Sequence, residues 1–179
     1  MIYDSQKHHR RSIRIPGYDY SQEGWYFVTI CTYQREKLFG EIINKNIKLN
    51  NYGNIAKQCW MEIPIHYPNV KMDEFIVMPN HVHGIINIVK NNNEGNQNVV
   101  GIQNFESLRV NKYQHIIPGS IGAIIRGFKS GVTKWFRKNT KIYTIWQRNY
   151  WEHIIRDEKD LNRSRQYIIN NPLKWPDDK

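Results

Sequence analysis

Two histidines separated by one valine, His81-Val82-His83, bring a pair of imidazoles to one side of the chain if the backbone there is extended, because alternate side chains of a strand share a face. Neutral imidazoles paired in this way suit a divalent metal ion. Far along the chain, Tyr167 and Asn171 stand four residues apart. On a helix that spacing puts a phenol and an amide on one face, one turn and about 6 Å of rise from each other. A phenol is a nucleophile whose phenolate, with an unperturbed pKa of about 10, is also a competent leaving group, so it suits a reaction that takes up a group and later releases it. Taken singly, a His-x-His on a strand and a tyrosine on an amphipathic helix are more often structural than chemical.

The surrounding elements must place these groups. Phe75 to Met78 is a continuous apolar run, Pro79-Asn80 signals a turn, and Gly84 to Val89 is again apolar and β-branched. The pattern predicts strand, turn, strand, with His81, His83 and Asn87 on one face and Val82, Ile86 and Ile88 on the other. Trp25 to Thr32 reads as a buried strand, followed by a hairpin of Phe39 to Ile43 against Ile47 to Asn50. Ile55, Cys59, Trp60 and Ile63 repeat at helical spacing, with Pro64 and Pro68 ending that helix. From Ser120 to Lys138 an amphipathic helix carries Ile121, Ile124, Ile125, Phe128, Val132, Trp135 and Phe136 on one side. Arg126, Lys129, Lys134 and Arg137 fall on the other. Ile145 to Arg156 reads as a strand, and Asp157 caps a last helix that runs to about Asn171, where Pro172 stops it. In that helix Asp160 and Arg163 share the stripe of Tyr167, whereas Leu161 and Ile168 fall on a side that can bury. This order of elements predicts an α+β sandwich with a mainly antiparallel sheet.

A chain of 179 residues with 40% apolar content is long enough for one core, so residues 1–179 are read as a single domain. Residues 1–21 form a basic N-terminal arm containing Arg10, Arg11 and Arg14. Residues 91–115 form an Asn-rich insertion, with asparagine at 91, 92, 93, 96, 98 and 104, that is too polar to pack and is expected to be flexible. The 26 Lys and Arg against 16 Asp and Glu give a formal charge of +10, which favours a polyanionic partner, nucleic acid above all. Cys31 and Cys59 have no metal-type spacing, so a disulfide framework is not expected and a reducing cytoplasm is the expected setting. No apolar run approaches the roughly 20 residues of a membrane span, and no membrane partner is expected.

Val77-Met78-Pro79-Asn80-His81-Val82-His83-Gly84, together with Tyr167-Ile168-Ile169-Asn170-Asn171-Pro172, closely resembles the single-tyrosine HUH transposases, in which U is an apolar residue. Within them the chain is most similar to the REP-associated tyrosine transposases, relatives of the IS200-like group. Gly17-Tyr18-Asp19-Tyr20, Tyr26 to Thr32, Trp146 to Tyr150 and Asn171 to Trp175 extend the likeness over most of the chain, and the Asn-rich insertion is the clearest departure. The resemblance implies a ferredoxin-like sandwich of the HUH endonuclease type. It also implies His81, His83 and Asn171 as ligands of Mg or Mn, and Tyr167 as the nucleophile. Ligand type alone leaves Zn and Ni open as well. The implied activity is cleavage and joining of single-stranded DNA beside a hairpin, through a covalent 5′-phosphotyrosine, by a monomer or a homodimer.

The expected DNA contacts are Arg10, Arg11 and Arg14 of the arm, Arg126, Lys129, Lys134 and Arg137 of the basic helix face, and Arg148 and Lys174 within segments that carry the likeness. The base that takes the phenol proton is not legible; His153 is a candidate, with a structural hydrogen bond as the competing role. Two other classes fit parts of the pattern. A non-catalytic DNA-hairpin binding protein derived from a transposase needs the charge but not the His81, His83 and Tyr167 set, and a zinc hydrolase of small molecules has no use for Tyr167 or for so basic a chain.

Overall fold

The computed structural model describes Ile15, residues 17–89 and residues 117–177, with residues 176 and 177 described by their backbone only. Among these residues six strands and four helices follow in the order β1 (Gly24–Cys31), β2 (Gly40–Ile43), β3 (Asn46–Leu49), α1 (Asn51–Met61), α2 (Ile63–His66), β4 (Val70–Met78), β5 (His81–Ile88), α3 (Ile121–Asn139), β6 (Trp151–Ile155) and α4 (Glu158–Ile169). Strands β4, β5, β1 and β6 lie side by side in that order, each antiparallel to its neighbour, while β2 and β3 make a separate hairpin. With the hairpin set aside, the β-α-β-β-α-β sequence and this strand order give the expected α+β, ferredoxin-like sandwich.

The alternation of β1 sorts the two faces of the sheet. Tyr26, Val28 and Ile30 point with Val82, Ile86 and Ile88 into the main core, which α1 and α3 close with Trp60, Ile124, Phe128 and Phe136. Phe27 points the other way, with Ile85 and Ile155, into a smaller cluster closed by Leu161 and Ile168 of α4. Helices α3 and α4 start where the sequence predicts, because Ser120 Oγ accepts from Ala123 N–H (3.3 Å) and Asp157 Oδ1 from Asp160 N–H (2.7 Å).

Four elements differ from the sequence reading. Strand β4 begins at Val70, five residues before the apolar run, and its polar stretch around Asp73 contains a register shift between Met72 and Phe75. Strand β6 covers only Trp151–Ile155; Ile145 is buried and Trp146 makes a lone bridge to Thr32, so the residues before Trp151 pack without forming a ladder. Pro64 sits in the first turn of the short α2, where its missing N–H costs nothing, so the chain turns instead of stopping there. Helix α4 ends at Ile169, and past Pro172 a 3₁₀ turn, Asn171–Asp177, continues the chain. Tyr18 and Tyr20, in the segment read as an arm, pack against the core, and Ile121 N–H bonds Tyr20 O at 3.0 Å. Arg10, Arg11, Arg14 and the Asn-rich insertion of 91–115 lie outside the described residues. No helix among the described residues is long and apolar enough to cross a membrane.

Candidate active site

β5 is an inner strand, so its histidines are fixed on both flanks: His81 stands opposite Cys31 and His83 opposite Thr29. Both are buried, at 0% and 3% exposure, and their ring centroids lie 4.4 Å apart. The predicted shared face is therefore real, and so is the opposite placement of Val82 and Ile86 in the main core. Asn80, in the turn before β5, sets the His81 ring: its side-chain oxygen lies 2.6 Å from Nδ1 and takes that proton, which leaves the lone pair on Nε2. His83 Nδ1 lies 2.8 Å from Thr29 Oγ1. Both rings are thus oriented through Nδ1, the arrangement that presents Nε2 to a ligand. His83 is held well below the usual imidazole range by burial first, then by the charges of His81 and Arg35, with a backbone hydrogen bond to Val28 opposing. A neutral imidazole is the form that binds a metal ion.

Directly behind the pair, Gly84 lies against Trp60 of α1, whose indole occupies the space a Cβ at that position would need. The strand can thus press flat on the helix layer at the residue after His83.

Helix α4 and the chain after it lie over the same place. Tyr167 sits edge-on to His83 at 5.2 Å between ring centroids, and Trp175 stacks on His81 at 6.2 Å. Asn171 falls between these two residues and is buried. Its Oδ1 and His83 Nε2 are both buried with no hydrogen-bond partner among the described residues. Each such orphan costs about 1–3 kcal/mol unless something else satisfies it. Lone pairs of just these types are what a divalent cation would take up, so the donor set fits a metal ion. Among the described residues no group of three His, Cys, Asp or Glu side chains converges, so the fit rests on two imidazoles and one amide. Tyr167 is 42% exposed, and its ring also meets Phe27 edge-on at 5.8 Å. The phenol is thus backed by two rings and open on its outer side.

Helix α4 is fastened to both edge strands. Arg165 donates Nε to Asp73 Oδ1 (2.9 Å) and Nη2 to Asp73 Oδ2 (2.8 Å), tying α4 to the bulged part of β4. At its other end, Asp160 Oδ2 lies 2.7 Å from His153 Nε2 on β6. The Arg165 hydrogen bonds hold the Asp73 carboxyl below the usual range against the opposing effect of burial. For Asp160 burial is the largest influence and opposes ionisation, but the hydrogen bond and charge of His153, with a backbone hydrogen bond from Arg156 and the charge of Arg163, together outweigh it and lower its pKa. His153, the candidate base, is engaged with Asp160 and stacked on Trp151 (6.1 Å, 11° between planes).

The candidate DNA contacts separate. Arg126, Lys134 and Arg137 are exposed on α3, which lies across the sheet from the histidines. Lys129 turns inward and donates Nζ to Gln147 O (2.8 Å) and Asn149 O (3.0 Å), and burial pushes its pKa down to about 8. Arg148 and Lys174 are exposed, Arg148 in the segment before β6, where it lines a groove with Thr29, and Lys174 in the 3₁₀ turn. Sequence reasoning missed Thr29, Asn80, Asp73, Arg165 and Arg35. Only Asn80, next to His81, carried a local signal; the rest act across strands. Gln34 and Arg35 hold left-handed backbone (φ 51° and 59°) just past β1, a strained conformation that recurs near functional sites.

No family model matches the chain. An uncharacterized protein of Haemophilus influenzae is 49% identical over 178 residues, spanning 98% of this chain and 95% of that protein. A second H. influenzae protein, which carries the provisional name REP-associated tyrosine transposase, is 26% identical over 159 residues, or 87% of this chain and 74% of that one. A solved structure of a REP-associated tyrosine transposase bound to a REP hairpin matches with a TM-score of 0.57 at 21% identity, covering 90% of this chain and 74% of that chain. At that identity the match speaks for the fold.

Proposed function

We propose that the chain is a REP-associated tyrosine transposase, a metal-dependent endonuclease and strand transferase of single-stranded DNA that acts beside hairpins, a reading supported by its likeness to the H. influenzae protein of that provisional name and by the shared fold. The observation that carries this reading is Tyr167, exposed and edge-on to His83, one of two buried imidazoles whose Nδ1 atoms are already engaged. The hairpin bound by the solved relative is the model for the substrate.

His81, His83 and Asn171 would hold the ion. With three neutral ligands the ion, Mg or Mn, would keep its double charge and would supply Lewis acidity. Tyr167 Oη attacks the phosphorus of the scissile diester, an oxygen–phosphorus bond forms, and the bond from phosphorus to the 3′ oxygen breaks. The 3′ oxygen leaves as a hydroxyl, taking a proton in exchange for the one the phenol gives up. The 5′ phosphate stays on Tyr167 until a second 3′-hydroxyl reverses the step, so joining needs no ATP. Phe27 and His83 fix the phenol ring from behind, and the two polar fastenings of α4 limit where Oη can travel. The formal charge of +10 favours approach of the strand.

The test is cleavage of end-labelled single strands carrying a hairpin, with Mg or Mn. The expected result is metal-dependent cutting by the wild type, none by Tyr167→Phe, and nearly equal strand binding by both. Cutting by Tyr167→Phe, or undiminished cutting in a chelator, contradicts the reading.

A further inference from the structure

Beside the histidines the ladder between β1 and the chain leading into β6 is interrupted. Thr29 pairs with Trp151 and the next bridge joins Thr32 to Trp146, so residues 30–31 on one side face residues 147–150 on the other. The longer side must bow outward. It encloses a groove of about 520 Å³ floored by Thr29 and Cys31. The bow is held in one shape: Gln147 N–H donates to Cys31 O at 3.0 Å, and Lys129 reaches through from α3 to the carbonyls of Gln147 and Asn149. Three aromatic residues line the groove, Tyr33, Tyr150 and Trp151, and of these Tyr33 (41%) and Trp151 (45%) are exposed. Gln34, Gln147 and Asn149 add three amides, and Arg148 is the one cation among the described residues of the lining.

The groove adjoins the site. Thr29 is the residue whose hydroxyl orients His83, and Trp151 meets edge-on, at 5.6 Å, the same Phe27 ring that backs Tyr167. Flat aromatic faces beside amides, which both donate and accept, complement a nucleobase: a π-face to stack and an edge with donors and acceptors. A site for phosphate alone would gather cations, and a paired base inside a duplex could not present its face. We propose that this groove seats the base of an unpaired deoxynucleotide next to the scissile phosphate, stacked against Tyr33 and Trp151 and read along its edge by Gln34, Gln147 and Asn149. The inference rests on the strand-transfer reading and deepens it, since it says where the unpaired flank of the hairpin lies.

Two oligodeoxynucleotides test it: a stem-loop alone, and the same stem-loop with an unpaired flank of eight thymidines, one at a time replaced by photoreactive 5-iododeoxyuridine. Cross-links are expected in the peptides holding Tyr33 and Trp151, from one or two flank positions. Tyr33→Leu and Trp151→Leu are each expected to weaken binding of the flanked oligonucleotide between about 5- and 150-fold, while binding of the stem-loop alone stays within about twofold. That differential also guards against a variant that merely misfolds. Cross-links confined to other peptides, or equal binding of the flanked strand by wild type and both variants, overturn the groove. If Tyr167 nevertheless becomes linked to DNA, the strand-transfer reading stands and the groove alone falls; if neither oligonucleotide binds, both fall together.

Discussion

Gly84→Ala is expected to be among the most damaging single-methyl additions in the chain. The new Cβ meets the indole of Trp60, which is fully buried, stacked on Phe75 at 6.0 Å and abutted edge-on by Phe128 at 5.2 Å. With rings on both sides the indole has nowhere to move, so the strand must lift or the helix must retreat. Adding volume to a filled core costs about 1–3 kcal/mol, and the confinement of Trp60 places this case in the upper half, about 2–3 kcal/mol. For a chain of this size that lowers Tm by about 5–10 °C. The assay is urea and thermal unfolding of Gly84→Ala, Trp60→Leu and the double variant. Trp60→Leu alone is expected to cost about 2–4 kcal/mol, and the double variant to lose at least about 1 kcal/mol less than the two single losses combined, because the smaller side chain admits the methyl. Since His83 is the preceding residue, metal-dependent cleavage should fall in Gly84→Ala and recover in part in the double variant. Additive losses, or a neutral Gly84→Ala, would refute the collision.

Thr29→Val removes the oxygen beside His83 Nδ1 and should weaken metal-dependent cleavage about 10- to 100-fold, read as a shift in the metal concentration for half-maximal rate. Asn171→Ala takes away one unsatisfied buried oxygen; the metal requirement should rise while folding stability stays equal or improves, as chemical unfolding without metal would reveal. Asp73 has a lowered pKa in the folded chain, so the stability it contributes is complete above the unfolded-state value of 3.8 and is lost as pH falls through the lower folded value. Asp73→Asn should therefore flatten the fall of unfolding free energy below about pH 4, and it should slow covalent attachment more than it weakens strand binding, because it unties α4 from β4.

The histidine pair was legible because a period of two is a local property: His81 and His83 share a face in any extended backbone, and the apolar residues between and after them show which face is buried. Helix α3 was legible for the same reason at a period of 3.6, and Ser120 and Asp157 announced their helices through short side chains that can accept from the first turn. The first half of β4 was hidden because Lys71, Asp73 and Glu74 interrupt the apolar pattern exactly where the strand bulges to meet Arg165 of α4, 92 residues away. The overlong reading of β6 has the opposite cause: Ile145 and Trp146 are strand-like residues that bury by packing on the core instead of joining a ladder. Periodicity placed Lys129 on a polar side of α3, but it could not foresee that the 147–150 segment would cover that side and use the ammonium. Thr29 became part of the site through cross-strand register, which no single stretch of sequence displays.

The most direct measurement of the central claim is peptide mass spectrometry of the protein after incubation with a hairpin-bearing single strand and Mg or Mn, nuclease digestion and proteolysis. The account predicts a nucleotide joined through its 5′ phosphate to the peptide that contains Tyr167, dependent on the metal and absent from His83→Ala. Strand cleavage with an unmodified Tyr167 peptide, or a nucleotide attached to another residue, would contradict it.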